Sequence, residues 1–135
     1  MSITNYKKNE IRALIFLTFL FLFTLLIVYT GIFKHVTWID VPLHFFGGFF
    51  VAMFFVSFLR RAIAAERSVT NDIIIVLGAS LLIGVAWEVF EYSSTRILPS
   101  YFSIFRGGNL FDTLKDLVID ILGSFLAFLF FKRRR

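Results

Sequence analysis

Between Arg12 and Lys34 the chain carries no charged residue at all. A stretch this long and this apolar, Ile11–Phe33, cannot be left in water. A helix rising about 1.5 Å per residue crosses the roughly 30 Å hydrocarbon core of a bilayer in about 20 residues. Three further stretches repeat the pattern: Val41–Leu59, Ile73–Tyr92 and a more polar one, Asp112–Phe131, whose mainly apolar part begins only at Leu117 and is interrupted by Asp120. The sequence therefore predicts an all-α polytopic membrane protein, one domain over residues 1–135, with spans at about 11–33, 41–59, 73–92 and 112–131. Composition agrees: 59% of residues are hydrophobic, twenty of the 135 are Phe, and only 17% are charged. Soluble domains of ordinary composition carry about 25% charge. With no Cys, a disulfide scaffold is excluded, as is thiol chemistry. The first apolar region is longer than the ~7–15 residues of a signal peptide and lacks a small-x-small cleavage pattern, so it reads as an uncleaved span.

The basic residues are topology signals rather than a nucleic-acid face. Ten of the fourteen lie at Lys7, Lys8, Arg12, Arg60, Arg61, Arg67 and Lys132–Arg135; Lys34, Arg96, Arg106 and Lys115 fall on the other side. This asymmetry puts both termini in the cytoplasm of an inner-membrane protein, and the terminal Lys-Arg-Arg-Arg suits anionic lipid. Thr30–Ile39 then forms a short outer connection, and Arg60–Asp72 an inner one with Thr70 or Asn71 as helix cap. Ser93–Phe111, aromatic and interrupted by Pro99 and Gly107-Gly108, reads as an interfacial or re-entrant segment before the last helix.

Three of the nine acids, Glu10, Glu66 and Asp72, sit at the cytoplasmic edge. The other six are Asp40, Glu88, Glu91, Asp112, Asp116 and Asp120, all at the outer ends of the second, third and fourth helices, with His44 among them. At about 100° per residue, Asp112, Asp116 and Asp120 share a stripe that Gly123 and Ala127 continue; Gly84, Glu88 and Glu91 share a face, as do Asp40, His44, Gly47 and Gly48. Small residues mark faces where membrane helices approach closely, so the polar groups point inward together. A charge at mid-membrane costs about 2.5–3.5 kcal/mol. Protonation, pairing with His44, Arg96, Arg106 or Lys115, water or a bound cation must offset that. An oxygen-rich cluster with one imidazole suits a hard or borderline divalent cation.

The bland readings differ residue by residue. Asp40 and Asp112 are placed to cap their helices. Asp116 pairs poorly with Lys115, because adjacent helical residues do not face each other. Asp120 is the deepest acid, in an otherwise apolar run. His35 reads as solvated, and the Phe-rich stripes as lipid-facing bulk. Bis-His haem, a Ser nucleophile elbow and a phosphate loop at Gly107-Gly108 have little or no support.

Three blocks carry a resemblance: Asp40-x-x-x-His44-Phe45-x-Gly47, Trp87-Glu88-x-x-Glu91, and Asp112-x-x-x-Asp116-x-x-x-Asp120-x-x-Gly123. Together they resemble the small bacterial YjdF-like membrane proteins and, more distantly, the VanZ-like proteins, over about Asp40 to Phe131. The resemblance implies an integral membrane protein with a polar intramembrane site and supplies no reaction. YjdF-like proteins usually have more spans, and VanZ-like proteins typically carry Gln where this chain has Glu91.

The leading expectation is a divalent-metal-dependent membrane enzyme acting on a lipid-linked phosphate or ester at the outer leaflet. His44, Asp40, Glu88, Glu91, Asp116 and Asp120 are the candidate ligands; Glu88, Glu91 and Asp120 the candidate catalytic groups; Arg96 and Arg106 the candidate phosphate holders. Membrane lipids are the expected partners and nucleic acid is not. The rival expectation is a small ion- or proton-coupled transporter, which at this length favours a homo-oligomer, or an accessory membrane subunit.

Overall fold

The computed structural model describes residues 3–62, 68–97 and 110–132, and these form an all-helical bundle with no strand among them. Helix α1 spans Ile3–Thr30, α2 Asp40–Ala62, α3 Val69–Ile97 and α4 Leu110–Lys132. The first three are long and apolar enough to cross a membrane. The fourth has the length, 23 residues or about 34 Å. It is less apolar because Asp112, Lys115, Asp116 and Asp120 occupy its first half. The expected bundle of four is present, then, with one helix that takes its place by burying polar groups rather than by uniform hydrophobicity.

Helix ends depart from the sequence boundaries for local reasons. α1 starts at Ile3, because its amphiphilic first turns dock on α2, and it stops at Thr30, where Gly31 takes the left-handed conformation (φ 73°) and donates to the Val28 carbonyl at 3.1 Å. Glycine is the residue that adopts this helix-ending geometry without a Cβ clash. Two single-turn 3-10 segments, Ile32–Lys34 and Thr37–Ile39, return the chain to α2. Pro42 then falls in the first turn of α2, where a missing N–H costs nothing. α3 begins before Thr70 and Asn71, the expected caps. Ser68 takes that role instead, its hydroxyl accepting from the Thr70 N–H at 3.2 Å. α3 also runs on to Ile97, so Ser93–Ile97, expected in the connection, is helical. The expected re-entrant segment otherwise falls on residues 98–109, outside the described residues.

α2 is the hub, packing on each of the other three helices. It runs parallel to α4 and antiparallel to α1 and α3, so Ile3 and Lys132 lie at the same end of the bundle. Small residues set the α2–α4 spacing. A Cβ on Gly48 would overlap the Asp120 carbonyl, and one on Gly123 would overlap the Phe45 carbonyl. Ser124 fills the remaining gap, donating to both Gly48 O (3.0 Å) and Asp120 O (2.7 Å). An apolar core of Ala52, Val56, Leu59, Val76, Ala127 and Phe128 occupies the half of the bundle nearer the termini. A second cluster, Ile27, Val28 and Phe33 with Leu43 and Trp87 against it, joins α1 to α2 and α3 at the opposite end. There Trp87 also meets Phe21 edge-on at 6.1 Å. At the terminal end, Arg61 forms two hydrogen bonds to the buried Glu10 carboxylate (2.7 and 2.9 Å), and Arg60 lies 4.0 Å from Asp72.

Candidate functional site: a buried acid–histidine cluster

Three helices deliver side chains to one point. α2 contributes Asp40 and His44, one turn apart on the same face; α3 contributes Glu88; α4 contributes Asp116 and Asp120, also one turn apart. His44 is 6% exposed, Asp116 3% and Asp120 5%. Nε2 of His44 lies 3.6 Å from Asp40 Oδ1 and 3.7 Å from Glu88 Oε1; Nδ1 lies 3.4 Å from both Asp120 oxygens. Asp40, His44 and Asp116 can bring one ligand atom each within 4.8 Å of one another. The clustering predicted from helical facing is therefore found, with Glu88 and Asp120 both in contact with the imidazole.

Glu88 is held from the far side by Thr113, whose hydroxyl donates to Oε2 at 2.7 Å. Glu91 stands apart from these contacts. Its Oε1 accepts from the Trp87 indole N–H at 3.0 Å, and its side chain lines a cavity of ≈ 160 Å³. That cavity lies over α2 between α1 and α3. Asp40, His44, Trp87, Glu91 and Asp120 line its polar end, and Leu17, Leu20, Val51 and Ile83 its apolar part. Along α2 it extends from Asp40 to Val51, about 16 Å at the helical rise.

Lys115 is the cation of the cluster. Its Nζ sits 2.6 Å from Asp112 Oδ1, 3.2 Å from Asp116 Oδ1 and 4.0 Å from Asp40 Oδ2. The expectation that Lys115 and Asp116 pair poorly is thus corrected: the rule concerns where Cβ atoms point, whereas a four-methylene stem bends past its neighbour. Two further corrections concern caps. Asp40 has helical dihedrals (φ −61°, ψ −43°) and is the first residue inside α2. Asp112 is the third residue of α4. Both carboxylates face Lys115, Asp40 also facing His44. Of the expected phosphate holders, Arg96 is exposed with its guanidinium 5.4 Å above the Tyr92 ring, away from the cluster's contacts, and Arg106 lies outside the described residues. His35 is exposed, as expected.

Among the described residues four buried side-chain atoms lack a hydrogen bond, His44 Nε2, Glu88 Oε1, Asp116 Oδ1 and Ser80 Oγ, with the Lys115 ammonium 3.2 Å from Asp116 Oδ1 as its ion-pair partner. Three of the four are cluster atoms. A buried polar atom without a partner costs about 1–3 kcal/mol, and that cost is concentrated at the cluster. A divalent cation fits the donor set, one imidazole nitrogen and several carboxylate oxygens. Lys115 was expected only as one of several possible partners of the acids, and Thr113 and Ser80 were not singled out in the sequence. Lys115 was visible as a basic residue among acids; the two hydroxyl residues carry no signal until the helices are packed.

The chain was compared with known proteins. Residues 2–135 match the family described as predicted membrane protein (DUF2238). A relative from Thermotoga maritima, itself described as an uncharacterized protein, is 28% identical over 123 residues. The match covers 91% of this chain and 62% of the relative, so the chain spans under two thirds of that protein's length. No solved structure matches. The YjdF-like resemblance of the three sequence blocks is consistent with these findings. With the family model matched over all but the first residue, and long apolar helices to match, the chain belongs to the DUF2238 family of membrane proteins.

Proposed function

We propose that the cluster is an intramembrane divalent-cation site, and that the protein is a metal-dependent enzyme cleaving or transferring a lipid-linked phosphate or ester. The observation that carries this reading is the adjacency of two things: buried, unpartnered ligand atoms on His44 and Glu88, and a cavity whose lining turns from polar to apolar within about 16 Å. An amphiphile matches that gradient, its head at the acids and its chain against Leu17, Leu20, Val51 and Ile83. A cation at the cluster would polarise a phosphoryl or carbonyl oxygen and acidify water. Glu91, facing the cavity and anchored by Trp87, is the general base. It takes a proton from the attacking water, the bond from phosphorus or carbonyl carbon to the alcohol oxygen breaks, and the proton passes to the departing alkoxide. Neither Arg96 nor Lys115 lines the cavity, so an anionic head would be held by the cation itself.

The transporter alternative is less favoured because Asp120 is the deepest ionisable group of the seam, and only the hydroxyls of Ser124, Ser80 and Ser57 are buried below it. Below it, Ala52, Val56, Ala127 and Phe128 close the α2–α4–α3 interior. The proposal includes the orientation: an inner-membrane protein with both termini cytoplasmic and the acidic end outward, as the basic residues suggest. The more distant VanZ-like resemblance enters only as a shared polar site within the membrane.

The test is turnover of a long-chain alkyl phosphate and a long-chain ester by protein purified in micelles, with Mg²⁺, Mn²⁺ or Zn²⁺ and with chelator. Release of alcohol that chelator abolishes, and that Glu91→Gln lowers at least 100-fold, is expected. Cation binding with no turnover of either substrate would overturn the enzyme reading and turn attention to ion handling.

A further inference from the structure

Asp120 and the other acids meet His44 on opposite sides of its ring. Both Asp120 oxygens lie 3.4 Å from Nδ1, whereas Asp40 Oδ1 and Glu88 Oε1 lie 3.6 and 3.7 Å from Nε2. The two ring nitrogens point away from each other, so a group on Nδ1 cannot share an ion held at Nε2. The Nε2 contacts are also too long for hydrogen bonds. They are close to the separation of about 3.4 Å expected for two donors each ~2.0–2.2 Å from one tetrahedral Zn²⁺. Nε2 is buried and has no partner, and Glu88 Oε1, facing it, has no hydrogen bond either.

Asp120 itself is held in a socket of backbone. A Cβ on Gly84 would overlap its Oδ2, a Cβ on Gly48 would overlap its carbonyl, and a Cβ on Gly47 would lie 4.0 Å from Oδ1. Its carboxylate is fixed between glycines and aimed at Nδ1. Such a carboxylate behind a ligating histidine sets the tautomer, orients the ring and raises the basicity of the far nitrogen.

We infer that Asp120 is not a ligand but the positioning residue that presents His44 Nε2 to a divalent cation shared with Asp40, Asp116 and Glu88. The inference rests on the cation-site reading and narrows it: of the six expected ligands, Asp120 moves behind the imidazole. It also narrows the ion to one that accepts imidazole together with carboxylate, of the Zn²⁺, Mn²⁺ or Co²⁺ kind, over Ca²⁺ or Mg²⁺.

The chain holds two histidines, so His35→Gln leaves His44 as the only one. The experiment labels that protein with ¹⁵N-histidine, titrates it with Zn²⁺ in micelles, and follows the two ring nitrogens. The expected result is a large shift at Nε2, with Nδ1 remaining protonated. Asp120→Asn, which keeps shape and an acceptor but loses the charge, should weaken Zn²⁺ binding about 10–100-fold while elution volume and helicity stay unchanged. Asp120→Ala should weaken it at least as much. Zn²⁺ at Nδ1, or wild-type affinity in both variants, would overturn the inference and leave the cation site standing. The ring assignment needs no Asp120 variant, so it holds even if both misfold. No shift at either nitrogen would remove the cation site and this inference together.

Discussion

Gly48 and Gly123 show how single atoms decide the site. Each lies where another helix's backbone passes, so a Cβ would meet a carbonyl rather than a movable side chain. Gly48→Ala and Gly123→Ala should therefore each destabilise the protein by about 1–3 kcal/mol through overpacking. Gly78 also lies within a span but has nothing within 4 Å of its would-be Cβ. Gly78→Ala should leave stability unchanged or slightly raised. Thermal unfolding in one detergent compares the three, and equal tolerance at all of them would show that α2 and α4 are not in close contact. These glycines were legible in the sequence, because the 100° helical step placed them on the same faces as the acids. The partners of Lys115 were not. Which of several carboxylates a flexible ammonium reaches depends on where α2 lies beside α4, and no residue spacing encodes that distance.

Among the elements, the paired ends of the helices were readable in type and misplaced in extent. The apolar runs located every span, yet α1 begins eight residues earlier than its run and α3 extends five residues beyond its own. Hydrophobicity marks the part of a helix inside the bilayer, whereas a helix stops where its backbone finds a cap, such as Ser68 or Gly31. Glu10 gave a similarly partial signal. Its place at the basic end was clear, but its partner Arg61 is 51 residues away and follows only from α1 lying antiparallel on α2. The orientation proposed for these elements has a direct check. The chain has no Cys, so a cysteine at exposed His35, in the α1–α2 turn, or at exposed Asn5, near the start of α1, is read against a blank background. In intact cells a membrane-impermeant maleimide should label His35→Cys and spare Asn5→Cys. The reverse pattern would place the acidic end in the cytoplasm.

At the scale of the whole molecule, the bundle separates its polar groups into two ends with an apolar core between them. The terminal end satisfies its buried acids with arginines, Glu10 with Arg61 and Asp72 near Arg60. The other end brings Asp40, Glu88, Asp116 and Asp120 around one imidazole and one lysine, and leaves three of its atoms without a hydrogen bond. That contrast within one chain is the basis of the account: the terminal end matches its buried acids with arginines, whereas the other end gathers four acids on one imidazole and one lysine. Removing one partner of a buried charge group costs about 3–5 kcal/mol when nothing replaces it, and the proposed ion would supply a missing partner to this cluster. The most direct measurement is the metal content of the protein, purified without chelator and counted per chain by mass spectrometry, together with its thermal unfolding. The account predicts about one divalent transition-metal ion per chain. Chelation should lower the unfolding temperature and re-addition restore it, the binding contributing about 2.7 kcal/mol at a hundredfold excess over Kd. His44→Gln and Asp116→Asn should each fold, bind no metal and lose that response. Metal-free protein whose unfolding is unmoved by Zn²⁺, Mn²⁺, Co²⁺ or Mg²⁺, or variants at His44 and Asp116 that keep the ion, would contradict it.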